Sequence, residues 1–117
     1  MCGIVGYTGQ KPAQELVVDS LKKLEYRGYD SSGIVVHDGE LITCKKEGPI
    51  ENMEAELKPS SSTLAIAHTR WATHGVPSDE NAHPHSDSSS SVAVVHNGTI
   101  DNYLVLREKL ESEGSKF

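Results

Sequence analysis

Two uninterrupted apolar runs, Leu64-Ala65-Ile66-Ala67 and Val92-Ala93-Val94-Val95, constrain this chain most. Neither alternates with polar residues, so each reads as a strand covered on both faces. Strands of that kind call for sheets with helices packed outside them, a layered α/β or α+β protein. The helices are legible too. After Pro12, which suits a first helical turn, Ala13, Leu16, Val17, Ser20, Leu21 and Leu24 recur at helical spacing. Ile50, Met53 and Leu57 suggest a short helix between Pro49 and Pro59. Tyr103, Leu106 and Leu110 mark another, with Gly114 placed to cap it.

The remaining segments are strands and loops. Residues 4–7 form a short apolar strand among Gly3, Gly6 and Gly9. Residues 34–37 and 41–44 flank Asp38-Gly39, a hairpin signal. Residues 26–33, with two glycines, and the polar segment 75–91 read as loops. The expected order is strand, helix, hairpin, short helix, strand, strand, helix.

Composition narrows the functional classes. A net charge of −6 with only two adjacent basic pairs, Lys22-Lys23 and Lys45-Lys46, argues against nucleic acid or an anionic membrane as partner. No apolar run approaches the about 20 residues of a spanning helix, and no secretory signal opens the chain. A cytoplasmic location is the expectation, with Cys2 and Cys44 as free thiols. At 117 residues, 36% of them apolar, the chain has enough for one modest core.

Four groups of residues carry chemistry. If Met1 is removed, Cys2 holds a thiol and a free α-amine on one residue. An α-amine titrates near 8 and a thiol near 8.5, so nucleophile and base arrive together. The alternative is an incidental second residue. Asn97-Gly98 follows a strand and offers an amide and a backbone N–H side by side, as an oxyanion hole requires; a type I′ turn is the alternative. Arg70, Trp71, Thr73 and His74 leave the other strand together. Arg70 suits a carboxylate held by two parallel bonds, and an exposed loop with a structural ion pair is the competing reading. His83 and His85 form an HxH pair that raises a zinc site, against which stands the absence of a nearby cysteine.

Taken jointly, Met1-Cys2-Gly3-Ile4-Val5-Gly6, Leu24-Glu25-Tyr26-Arg27-Gly28-Tyr29-Asp30-Ser31, the stretch 68–75, Asn81-Ala82-His83-Pro84-His85 and Val95-His96-Asn97-Gly98 resemble the glutaminase domain of the glucosamine-6-phosphate synthases, class II glutamine amidotransferases. The resemblance covers the whole chain. Related amidotransferases of purine and asparagine synthesis share the Cys start and Asn-Gly but look different at Tyr-Arg-Gly-Tyr and Arg-Trp-Ala-Thr-His.

The resemblance implies an α+β N-terminal-nucleophile (Ntn) hydrolase fold, a four-layer αββα sandwich that is incomplete here. Residues 1–117 would be the N-terminal portion of that domain, with no second domain. Cys2 would form a glutamyl thioester, Asn97 and Gly98 would build the oxyanion hole, and Arg70, Trp71, Thr73 and His74 would bind L-glutamine. No cofactor or metal is implied. Ammonia would pass to fructose 6-phosphate on an isomerase domain that this chain lacks, in a homo-oligomeric enzyme. The family's domain runs past Phe117, including an Asp that grips the glutamine amino group. The expectation is that these 117 residues alone are inactive or very weak; glutamine hydrolysis at full-length rates would refute it. The competing class is a noncatalytic or metal-binding module derived from an incomplete hydrolase.

Overall fold

The computed structural model describes residues 2–73 and 75–117. Four strands form one antiparallel sheet in the order β1-β4-β2-β3: β1 Gly3–Thr8, β2 Ser31–His37, β3 Leu41–Glu47 and β4 Leu64–Arg70. Two short strands, β5 His85–Ser86 and β6 Ala93–Val94, pair separately. The α-helices are α1 Ala13–Lys22, α2 Ile50–Glu54 and α3 Tyr103–Ser112. Element order follows the expected one, with a 3-10 turn at Glu25–Arg27 and β5 added. The class is mixed and antiparallel, as the α+β reading requires.

Register decides which side chains share a face. Ile34 lies opposite Ala67 and Val36 opposite Ala65. All four are buried, and they pack with Val17, Val18 and Leu21 of α1 and Ile50 and Met53 of α2 into the core. One face of the sheet is therefore under helices. The side-chain period of two puts His68 and Arg70 on the other face, opposite Gly33 and Ser31. There the loop 78–85 lies over the sheet, with Ala82 and Pro84 buried. A Cβ on Gly33 would overlap the His83 carbonyl oxygen. Replacing Gly33 with Ala is expected to lower stability by about 3 kcal/mol, because backbone and not a flexible side chain must move. A urea midpoint unchanged from the parent would contradict that.

Turn chemistry matches the hairpin signal, though its loop has three residues, 38–40. Gly39 takes φ +76°, the left-handed region that favours glycine. The C-terminus of α3 is a Schellman cap. Gly114 has φ +97°, its N–H donates to Glu111 C=O (3.0 Å), and Ser115 N–H donates to Leu110 C=O (2.9 Å).

Several expectations need correction. Residues 92–95 are not a buried strand: Val92 is 58% and Val94 53% exposed. Among the described residues its strand pairing is that of β6 with the two residues of β5, and no residue of α3 is buried, so no described helix covers it. In β4 the apolar run is covered on one side only, with Ala65 and Ala67 buried and Leu64 44% exposed. Ser31, Ser32 and Gly33 belong to β2, not to a loop. On α1, Val18 is buried where Leu16 was expected, since the sheet meets the helix along a line rotated from the one spacing suggested.

Candidate active site

Pairing of β1 with β4 runs from Thr8↔Leu64 to Gly3↔Thr69, which delivers Cys2 to the end of β4. The Trp71 N–H donates to Cys2 Sγ at 3.2 Å, and the thiol lies 3.7 Å from the Trp71 carbonyl oxygen. Asn97 reaches the same residue from 95 positions away: its Nδ2 donates to the Cys2 carbonyl oxygen at 3.2 Å. Its Oδ1 lies 2.8 Å from His68 Nε2. Gly98 has φ +147°, and a Cβ there would meet the His96 ring at 3.1 Å. No second strand follows it, so the type I′ turn is set aside.

A cleft of about 260 Å³ opens at this point. Cys2, Arg70, Trp71, Thr73 and Gly98 line it, together with Asn81, His83, His85, His96 and Thr99. Arg70 is only 8% exposed and its guanidinium donates to the carbonyls of Val76 (3.3 Å) and Gly75 (3.4 Å). Asn81 ties the same loop, donating Nδ2–H to Val76 C=O at 2.9 Å. Trp71 is half exposed and meets Tyr29 edge to face, 6.0 Å between centroids. His74, also expected at the site, lies outside the described residues. A larger cleft, about 600 Å³, lies on the helix side of the sheet beside Cys44 and holds none of these residues. Chemistry, not size, singles out the smaller one.

Composition and spacing left two supporting residues without a role. Asp30 Oδ2 accepts from Ala72 N–H (2.8 Å) while Asp30 N–H donates to Arg70 C=O (3.0 Å), pinning the segment that presents Arg70 and Trp71. Gly28 sits so close that a Cβ would lie 2.7 Å from both Arg70 C and Trp71 N. Both fall in the Tyr-Arg-Gly-Tyr-Asp motif, where only the tertiary packing gives the glycine a reason.

No protein-family model matches the chain. Over its whole length it is 52% identical, across 120 residues, to the glutamine–fructose-6-phosphate aminotransferase (isomerizing) of Clostridium acetobutylicum. It is 54% identical across 120 residues to that of Aquifex aeolicus. The chain spans about 20% of the length of either relative, matching their N-terminal part. Among solved structures, a glutamine phosphoribosylpyrophosphate amidotransferase from B. subtilis superposes with a TM-score of 0.81 at 33% identity, covering 100% of this chain and 26% of that one. An allosteric regulatory enzyme of purine biosynthesis gives 0.84 at 32%, again over 100% of this chain and 26% of that one. The chain thus matches the N-terminal fifth of these aminotransferases along its whole length, and its structural neighbours are N-terminal-nucleophile glutamine amidotransferases.

A wall of histidines backs the cleft. His68 and His83 stack, centroids 4.3 Å apart and 23° between planes, and His83 meets His85 at 4.4 Å, tilted by 58°. Burial pushes all three below the usual histidine range, His83 down to about 3, where the repulsion that a charge on His83 would meet from protonated His68 and His85 and from Arg70 and Lys45 adds to the effect. They are neutral at pH 7. Among the described residues, no group of three or more His, Cys, Asp or Glu is arranged to hold a metal ion. Nor is any described helix long and apolar enough to cross a membrane.

The histidine wall has a stability consequence. Unfolded, His83 takes a proton near pH 6.5; folded, it resists until about 3. Between those values the unfolded chain binds more protons, so stability is full above pH 6.5 and falls as pH drops below it. The thermal midpoint is expected to decline from pH 7 to pH 5, and His83→Gln to flatten that decline. An equally steep decline in the variant would exclude His83 as its source.

Proposed function

We propose that residues 1–117 form the front of a glutamine-hydrolysing domain in which Cys2 is the nucleophile. The observation that carries this reading is that Cys2, Gly98 and the buried Arg70 line one cleft, with the Asn97 amide bonded to the Cys2 carbonyl beside it. With Met1 removed, the α-amine of Cys2 takes the thiol proton and the sulfur attacks the side-chain amide carbon of L-glutamine. Asn97 Nδ2–H and Gly98 N–H donate to the oxyanion of the tetrahedral intermediate. Collapse expels ammonia, protonated by the same amine, and leaves a γ-glutamyl thioester. Water then hydrolyses the thioester to glutamate.

Arg70 has the burial and fixed orientation to hold the α-carboxylate bidentately, and Trp71 and Thr73 line the same cleft; a glutamine-binding role is proposed for these two and for His74. Arg70→Lys, which keeps the charge and loses the fork, is expected to raise KM for glutamine about 10–100-fold with a smaller change in kcat. Steady-state ammonia release measures it; an unchanged KM removes Arg70 from carboxylate binding.

For the whole protein the proposal extends further. The two curated relatives named above carry, in their names, glutamine and fructose 6-phosphate. Ammonia made at Cys2 would serve that sugar phosphate on a further domain, giving glucosamine 6-phosphate. A cytoplasmic homo-oligomer is part of this reading.

Two measurements test the nucleophile. Intact mass of the purified full-length protein should show loss of Met1. A glutamine-mimicking electrophile should label Cys2 and spare Cys44, whose thiol is pushed up by burial and donates to Met53 C=O at 3.6 Å. Retained Met1 with full glutaminase activity would refute the mechanism, because the base would be an amide.

A further inference from the structure

We propose that His68 is a positioning residue that locks the Asn97 amide with its N–H groups turned toward the reacting carbonyl. This deepens the glutaminase reading and rests on it. The Cys2 carbonyl can only accept, so the end of the Asn97 side chain facing it at 3.2 Å is the NH₂ end. Oδ1 then faces His68 Nε2 at 2.8 Å and must accept, so Nε2 carries a hydrogen. A neutral imidazole has one N–H, and Nδ1 is therefore bare. Consistently, Nδ1 is buried with no hydrogen-bond partner. A second N–H there would be stranded in the interior, at the cost that attends any unpaired buried donor.

The two residues differ in support, which gives the contact its purpose. Asn97 is exposed and lies outside any strand. Held by the Cys2 carbonyl alone, an amide on such a segment can still rotate to present Oδ1, which would repel an oxyanion. His68 is fully buried in β4, hydrogen-bonded between β1 and β2, with its ring plane held against His83. Rigid sheet thus sets the orientation of a loop side chain. The bond also explains why a histidine occupies the interior position opposite Gly33.

The tests are His68→Leu and His68→Gln in the full-length protein, with two readouts. In glutamine hydrolysis, His68→Leu is expected to lower kcat about 10–100-fold with KM within about 3-fold, since an oxyanion donor acts in the transition state. His68→Gln retains an N–H donor and should recover at least about half of that loss on a logarithmic scale. Iodoacetamide, which needs no oxyanion hole, should alkylate Cys2 equally in all three. Equal impairment of both variants, or a rise in KM with kcat unchanged, would overturn the proposal. Independently, ¹⁵N spectra of the imidazole should show His68 as the Nε2–H tautomer across pH 6–8; an Nδ1–H tautomer would sink it. That spectrum needs no turnover. Should the parent protein fail to split glutamine while the Nε2–H tautomer is present, the glutaminase reading fails and the geometry stands.

Discussion

Cys2→Ala is expected to abolish glutamine hydrolysis, by roughly 10⁴-fold or more, while leaving the fold in place. Removing a nucleophile that acts as a unit with its base costs far more than removing a binding contact. The structural loss is small by comparison. Cys2 is half-buried, and among the described residues its sulfur pairs with the Trp71 backbone. Thermal stability should change by no more than about 1 kcal/mol. Ammonia release and a thermal melt, run side by side, measure the two. Cys2→Ser keeps the geometry but offers a far less acidic nucleophile, so it should be nearly as inactive. Full activity in either variant would move the chemistry elsewhere.

Asn97→Ala is expected to lower kcat about 10²–10³-fold with little change in KM, the signature of a donor used in the transition state. The side chain also holds the Cys2 carbonyl and receives His68, so its removal loosens the nucleophile's backbone as well. Asn97 is exposed, and truncation should leave the global stability within about 1 kcal/mol. Asn97→Asp is the sharper test, because it places an anion against the Cys2 carbonyl and the developing oxyanion with no change in size. Steady-state kinetics of both variants decide the matter; a selective rise in KM would reassign Asn97 to substrate binding.

Much of the scaffold was legible beforehand. Helical spacing located α1, α2 and α3, and Asp38-Gly39 located the hairpin, because these signals are local. Cys2 and Asn97-Gly98 stood out as chemistry for the same reason: each is a short arrangement of donor, nucleophile or base. The apolar run at residues 92–95 misled, since its burial depends on what covers it and not on its own composition. Val18 replaced Leu16 in the core because the contact line on a helix is chosen by the sheet below it.

What the chain determined by itself was therefore the order and type of its elements and the identity of its reactive groups. Tertiary structure decided that Cys2 and Asn97, 95 residues apart, touch, and that His68 stands behind them. The antiparallel register of β1 on β4 sets the first meeting, and the close passage of loop 78–85 over Gly33 sets the histidine stack. Neither register nor loop path leaves a periodic trace in the residues that obey it.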